Sequence, residues 1–435
     1  MKKTQLLCAT AVWLGAVAAA GLPAIASAKA GQLQHPLLLR NHPAISYATR
    51  PVSDPVAELD RRLERGAVRL RHDGPSGYLR SVLDALQVPV ESQMLVFSKT
   101  SFQAPRINPQ NPRAIYFNDR VAVGWVRGGE VLEFVAQDPR QGSIFYTMSQ
   151  ARDRAPRVER NDACLSCHTS DATQYVPGWF IGSVFPGPDG TTRYGPAYTT
   201  DHRSPFEIRY GGWYATGTHR ATRHMGNAIA HDPSDLGAMI TPATVNLTSL
   251  EGRFDMTGYL SPHSDLVALV VLEHQAHMLS LITRVGWEAR MGTDAGRPLA
   301  SAAAELVDYL LFVDEAPLPG PIAGTTAFGA NFATPGPRDS QGRSLRDLDL
   351  RERLLKYPCS YLIYSDGFDA MPADAKVAVY ERLWDILSGR EQDARYARLT
   401  ATDRQAILEI LRETKDDLPE YFAAPRTGAP YDTGA

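Results

Sequence analysis

Hydrophobic and polar positions alternate in short runs between residues 94 and 147, and these runs are rich in β-branched and aromatic residues. Breaks such as Asn118-Asp119 and Gly128-Gly129 separate the runs, and both dipeptides favour the tight turns of β-hairpins. The pattern therefore predicts an antiparallel β-meander. Its predicted strands cover residues 94–97, 114–117, 121–126, 131–135 and 143–147.

Apolar residues at helical spacing predict helices on both sides of the meander. Helices over 57–65 and 78–86 precede it, and helices over 302–312, 376–388 and 403–414 follow it. The strongest helical pattern covers residues 264–290, with Ser261 or Ser264 as its N-cap. Its apolar residues are expected to line one side of the helix: Val267, Val270, Val271, Met278, Ile282 and Val285.

Predicted strands and helices fall in separate runs, which favours an α+β fold. We expect a β-rich N-terminal half, followed by a mainly helical C-terminal half. The predicted regions are a signal peptide over 1–28, an extended lead-in with short helices over 29–92, a β-rich region over 93–260 and a mainly helical region over 261–435. Further expectations are strands at 179–181, 194–199 and 213–214, a charged surface segment at 152–160 and a long loop at 317–343.

The first residues have the three-part pattern of a secretory signal peptide. Lys2 and Lys3 form a short positive start, residues 6–20 are apolar, and Ala26-Ser27-Ala28 is a small-x-small cleavage site. An uncleaved membrane anchor is the alternative, because the apolar stretch is close to the length needed to span a bilayer. Pro23 and the cleavage triplet favour removal, which predicts a periplasmic protein with no membrane span in the mature chain.

Composition excludes two classes of protein. With 44% hydrophobic and 21% charged residues among 435, the chain is not intrinsically disordered. A formal net charge of −3 excludes a polycationic nucleic-acid binder on bulk charge, so no nucleic-acid partner is expected. Its 4 cysteines are too few for a disulfide framework in a chain of this length.

One motif carries chemistry. Cys164-Leu165-Ser166-Cys167-His168 is a Cys-x-x-Cys-His sequence, which in an exported chain indicates a c-type haem attachment site. Two thiols on one helical turn can form thioethers with the haem vinyl groups, and the adjacent His168 then reaches the iron as proximal ligand. Asn161 or Asp162 is expected to cap that turn. The motif therefore predicts one covalent haem c.

Paired cysteines have two other common uses, a redox dithiol and a structural zinc site. A redox dithiol uses Cys-x-x-Cys but needs no histidine after it. A structural zinc site needs four ligands, and Cys359 does not supply a second pair. Cys359 lies between apolar neighbours and is expected to be a small buried residue.

Several residues are candidates for the sixth position of the iron. His274 is expected to point inward from the long helix, with His277 beside it, and is the first choice as distal ligand. His224 and Met225, in a loop that also holds His219, are the alternatives, and an open or water-occupied position stays possible. Arginines near strand ends are candidates to pair with the haem propionates: Arg106, Arg113, Arg127 and Arg209.

A set of short motifs extends along most of the chain, from about Met94 to the C-terminal helices. The motifs are Ser98-Lys99-Thr100, residues 114–119 followed by Gly124-Trp125, residues 164–168, Gly211-Gly212-Trp213-Tyr214, His224-Met225-Gly226-Asn227, Arg338-Asp339-Ser340 and Lys356-Tyr357-Pro358-Cys359. In these motifs the chain resembles a group of exported bacterial cytochrome-c-domain proteins. The resemblance implies a single c-type haem and a periplasmic setting, with roles for Cys164, Cys167 and His168, and it implies no particular reaction.

Three functions fit these expectations. The first is a monohaem cytochrome that exchanges single electrons with a redox partner protein. The second is a haem enzyme or gas-binding sensor with an open distal site. The third is an interaction scaffold in which the haem is structural. The single attachment motif disfavours a dihaem peroxidase, and the length disfavours a small electron shuttle, which needs on the order of 100 residues.

Overall fold

A computed structural model describes residues 36–192, 194–219, 223–318 and 320–423. The predicted signal peptide and its cleavage site lie outside these residues. Contacts group these residues into one compact unit. The region boundaries predicted at residues 28, 92 and 260 stay predictions.

The predicted meander is confirmed as the centre of a larger antiparallel sheet. The strands of the structure are β1 Met94–Val96, β2 Arg113–Phe117, β3 Val121–Trp125, β4 Val131–Asp138, β5 Gly142–Ser149, β6 Val158–Arg160, β7 Ile181–Phe185, β8 Tyr194–Thr200, β9 Trp213–Tyr214, β10 Gly217–His219 and β11 Ile322–Gly324. Seven of them form this sheet, in the order β6-β5-β4-β3-β2-β1-β9, and two strand pairs, β7 with β8 and β10 with β11, lie outside it. The segment 152–160, which was expected to be a charged surface segment, ends in the edge strand β6.

Helices cover both faces of the sheet. Their bounds are α1 Pro55–Glu64, α2 Leu79–Leu86, α3 Leu266–Met291, α4 Leu299–Leu310, α5 Phe328–Phe332, α6 Asp366–Asp369, α7 Ala373–Leu387 and α8 Ala401–Thr414. Apolar residues of α1 and α2 pack on one face of the sheet, with Tyr116 and Trp125 among their neighbours. On the other face, Met94 and Phe117 belong to the same core cluster as α3, α4 and α7. The chain therefore has an α+β fold, with a β-rich N-terminal half and a helical C-terminal part.

The long helix α3 is the central element of the helical part. Sequence analysis assigned it one apolar side, but nearly all of its residues are buried, including Glu273, His274 and Gln275. A helix that is buried all round packs against neighbours in every direction, so one apolar stripe does not describe it. The predicted caps were wrong as well, because the Asp265 carboxylate accepts hydrogen bonds from the first amides of α3.

Residues 266–295 bear on the expectation that the mature chain has no membrane span, which stays a prediction. By length and composition this stretch is apolar enough to cross a membrane, with a mean hydropathy of 1.5 in its most apolar window. In the structure 94% of that window is buried by the rest of the chain. The stretch is accordingly a core helix here, and its apolar character is explained by contacts within the protein.

The segment 317–343 is more ordered than its glycines and prolines suggested. It contains the short strand β11 and the short helix α5, both too brief for periodicity to reveal. β11 pairs with β10, and Phe328 and Phe332 of α5 are buried. Long-range contacts, which sequence periodicity does not report, hold this segment in place.

Candidate functional site

The Cys-x-x-Cys-His motif forms a single turn beside the sheet. Residues Asp162–Ser166 are a 3-10 helix, and the Asn161 side chain accepts a hydrogen bond from the Ala163 amide, as the predicted cap. The backbone amides of Cys167 and His168 both donate to the carbonyl of Cys164, at 3.2 and 3.0 Å. Cys164 is half-buried, Cys167 is exposed, and both are free thiols. One short turn thus presents two thiols and the histidine together.

His168 is held in one orientation by a loop ten residues further along the chain. Its Nδ1 lies 2.9 Å from the carbonyl oxygen of Gly178. A carbonyl only accepts, so Nδ1 carries the proton and Nε2 keeps its lone pair. The ring packs against Phe145 at 4.8 Å and Phe180 at 5.4 Å between centroids.

Burial lowers the pKa of His168 to about 4, although the Gly178 hydrogen bond acts in the opposite direction. The imidazole is therefore neutral near pH 7. A neutral imidazole whose Nδ1–H is bound to a backbone carbonyl is the usual form of a histidine that ligates a metal through Nε2.

Helix α3 supports this arrangement from behind the loop. A Cβ atom on Gly178 would lie 2.5 Å from Ser280 Oγ of α3 and 3.1 Å from the Cβ of Thr173. Only glycine allows the loop to approach the helix this closely. Helix α3 therefore contacts the loop on the side of the Nδ1 acceptor.

A charged pair lies close to the motif. Arg113 of β2 and Glu133 of β4 form a salt bridge of 3.0 Å, and both side chains are largely buried. Burial raises the pKa of the Cys164 thiol, Glu133 raises it further, and Arg113 lowers it. The same two residues act on the His168 imidazole with opposite signs. The charges of Arg113 and Glu133 therefore act on both Cys164 and His168.

These residues fit a c-type haem. The motif offers thiols for thioether bonds and a neutral imidazole with a free Nε2, and the neighbouring Arg113 has a buried Nε without a hydrogen-bond partner among the described residues. No group of three or more His, Cys, Asp and Glu side chains in the described ranges is placed to hold a metal ion. A four-ligand zinc site at the motif has no support, whereas a haem needs only one protein ligand on its proximal side.

Sequence reasoning did not identify the residues that position His168. Gly178, Phe145 and Phe180 belong to other segments, and their role depends on the folded arrangement. The Pro177-Gly178 pair was the nearest local signal, because it marks a turn.

His274 lies in a different cluster of the fold. Its side chain is completely buried, with Nδ1 2.8 Å from Nδ1 of His202 and Nε2 2.7 Å from Oγ of Ser360. Burial lowers its pKa to about 3. Within the described part of the chain, no hydrogen bond or ring contact joins His274 to His168. Its predicted role as distal ligand stays a prediction, and it would require His274 to give up one of these bonds.

The alternative candidates for the distal iron ligand, His224 and Met225, also have hydrogen-bond partners within the protein. Nδ1 of His224 accepts a hydrogen bond from the Gly226 amide at 3.0 Å, and burial lowers the pKa of His224 to about 3. Met225 is buried, with its sulfur 3.8 Å from Oγ of Ser183. His219 lies next to His224, at 4.8 Å between ring centroids. The structure does not join this cluster to His168 by any described contact.

Cys359 has the expected surroundings. It is fully buried, and burial raises the pKa of its thiol. A neutral, inaccessible thiol is inert, which distinguishes Cys359 from the two motif cysteines.

Comparisons of the chain with known protein families, with curated proteins and with solved structures gave no match.

Proposed function

We propose that the chain is a periplasmic monohaem cytochrome, with haem c attached through Cys164 and Cys167, that exchanges single electrons with a redox partner. His168 is the proximal iron ligand. The observation that carries the proposal is the neutral His168 imidazole, whose Nδ1 is bound to Gly178 and whose Nε2 is free for a metal. The resemblance to exported cytochrome-c-domain proteins supports the single covalent haem and the periplasmic setting, and it implies no particular reaction.

Each residue of the site has a distinct task in this function. The bound iron supplies a centre that changes its charge by one electron. Cys164 and Cys167 tether the group, and His168 holds the metal on the side of Gly178. Phe145 and Phe180 surround the imidazole with apolar surface, which limits water access and so influences the reduction potential. Cys167 is exposed, which places the attachment turn where a partner protein can approach.

A haem enzyme or gas-binding sensor with an open distal site is the second candidate. The observation in its favour is that His274, His224 and Met225 all have hydrogen-bond partners within the protein. If the two histidines keep these partners, neither of them occupies the sixth position, whereas the Met225 sulfur has a second lone pair and keeps its capacity to bind iron. Carbon monoxide distinguishes the two functions, because it binds an open ferrous site and leaves a six-coordinate low-spin iron unchanged.

The attachment itself is tested in a periplasmic expression host that has the haem c maturation machinery. After acid-acetone extraction, mass spectrometry should find one haem mass retained per chain. The double variant Cys164→Ser/Cys167→Ser should lose it, while Cys359→Ala, a matched control at the buried cysteine, should keep it. Release of the haem from the wild-type protein, or zinc in its place, would contradict the proposal.

A further inference from the structure

We propose that Arg113, fixed across Gly124 by Glu133, binds a propionate carboxylate of the haem. This inference rests on the proposed function and deepens it, because it identifies the protein cation that receives the negative end of the group. It selects one arginine among the four candidates that the sequence offered.

The first argument is the register of the sheet beside His168. Phe145, which contacts the His168 ring, lies opposite Val135, and the next pair on the same face is Thr147 with Glu133. Glu133 is paired with Gly124, and Gly124 with Ile115. Directly opposite residues on one face have Cβ atoms about 4.5–5.5 Å apart. A continuous strip of the face therefore leads from the proximal histidine to Gly124.

The strip is the open part of an otherwise buried sheet. Ile115, Glu133, Val135 and Thr147 are each partly exposed, although they lie on central strands. The alternate residues of these strands, on the opposite face, are buried without interruption. Partly exposed apolar positions in the middle of a sheet, next to the attachment turn, are suited to a large planar ligand.

The second argument is the way Arg113 is held. Its Nη2 lies 3.0 Å from Glu133 Oε2, and Glu133 Oε1 in turn accepts a hydrogen bond of 3.0 Å from Gln103. A Cβ on Gly124 would lie 2.8 Å from both Nε and Nη2 of Arg113. The guanidinium therefore lies directly over the glycine, where no other residue would leave room for it.

Arg113 also keeps hydrogen-bonding capacity that the described chain does not use. Its Nε is buried and unpartnered, and Nη1 has no partner among the described residues. A guanidinium presents five donors in a planar fork that matches a carboxylate. The haem brings two propionates, and a carboxylate in a half-buried site requires a cation or several donors.

The other three candidate arginines form salt bridges with other carboxylates. Arg209 pairs with the buried Glu273 at 3.1 Å and donates its other hydrogen bonds to the carbonyls of His202 and Ser204. Arg106 pairs with Glu130 at the surface, at 3.0 Å, and Arg127 pairs with Asp255.

The midpoint potential of the attached haem tests the inference, with Arg113→Gln compared with Arg106→Gln. Removing a cation close to the iron favours the ferric form, which carries one more positive charge, so the potential should fall. We expect Arg113→Gln to change the electron-exchange equilibrium constant about tenfold, which is about 59 mV for one electron. Arg106→Gln, an exposed arginine with the same charge change, should alter it less than about twofold. Arg113→Lys should restore most of the lost potential.

Gly124→Ala gives an independent readout if Arg113→Gln does not fold. The new methyl group displaces the guanidinium while the net charge stays the same, so the potential should again fall. Gly329→Ala is its control, since the nearest atom to a Cβ there is 3.6 Å away. An attached haem whose potential is the same in Arg113→Gln and Arg106→Gln, or in the two glycine variants, would overturn the inference alone. A wild-type chain without covalent haem would instead contradict the proposed function.

Discussion

His168 and Gly178 are joined by two hydrogen bonds. Nδ1 of the imidazole lies 2.9 Å from the Gly178 carbonyl oxygen, and the Gly178 amide donates to the His168 carbonyl at 3.0 Å. The backbone bond fixes the distance between the two segments, and the side-chain bond fixes the tautomer and the direction of Nε2. The orientation of the predicted iron ligand therefore depends on a residue outside the motif.

The first prediction concerns this glycine. Gly178→Ala places a methyl group 2.5 Å from Ser280 Oγ, so the loop must move away from α3. We expect the free energy of unfolding to fall by about 1–3 kcal/mol, as in other overpacked sites. The optical spectrum should also change, because the acceptor for His168 moves. Urea unfolding and the absorption spectrum measure the two effects.

The control for this variant is the double substitution Gly178→Ala/Ser280→Ala, which removes the oxygen that the methyl group meets. It should recover part of the stability and move the spectrum back towards that of the wild type. Equal stability of wild type and Gly178→Ala would show that the loop tolerates the displacement.

The second prediction concerns the proximal ligand. His168→Gly should leave the haem attached through its thioethers, but with altered iron coordination and spectrum. Added imidazole should restore the spectrum in part, since it fills the space of the missing ring. His231→Gly, at an exposed histidine, serves as control and should have the wild-type spectrum. An unchanged spectrum in His168→Gly would exclude His168 as a ligand.

The third prediction concerns the distal side. His274 uses both ring nitrogens within the protein, so we expect His274→Ala to reduce stability without changing the spin state of the iron. The loss should be about 2–4 kcal/mol, because the substitution leaves a cavity and unpaired polar groups at His202 and Ser360.

Spin-resonance spectra of His274→Ala, His224→Ala and Met225→Ala are the measurement. A shift to high spin that occurs in His274→Ala alone would confirm the assignment favoured by the sequence. The same shift in one of the other two variants would place the ligand in the loop after β10.

The fourth prediction concerns pH. Burial lowers the pKa of His274 to about 3, whereas an imidazole in the unfolded chain titrates near its ordinary value of about 6.5. Between these values the unfolded state binds a proton that the folded state excludes, so the free energy of unfolding falls as the pH is lowered through this window. One such histidine should lower it by about 2 kcal/mol between pH 7 and pH 5.

Urea unfolding of the wild type and of His274→Asn at both pH values measures this contribution. The variant should depend less on pH, and His231→Asn, at an exposed position, should behave like the wild type. An identical pH dependence in His274→Asn and the wild type would show that His274 is not the source.

The sequence determined the features that depend on neighbours along the chain. Alternating apolar runs with turn dipeptides predicted strands β1 to β5, since side chains in a strand alternate between its two faces. The spacing of Cys164, Cys167 and His168 predicted one turn with three functional side chains, because that spacing is itself a property of local backbone geometry.

Tertiary structure decided the features that depend on residues far apart in the chain. Gly178 supports His168 only because α3, a hundred residues later, packs against the loop, and Arg113 was one of four equivalent arginines until the register placed it over Gly124. His274 was expected to face one side of an amphipathic helix, but α3 is surrounded, so its inward position brought it to His202 and Ser360. Sequence periodicity indicates an apolar face of an element, whereas the full extent of burial and the identity of the neighbours follow from how distant elements pack.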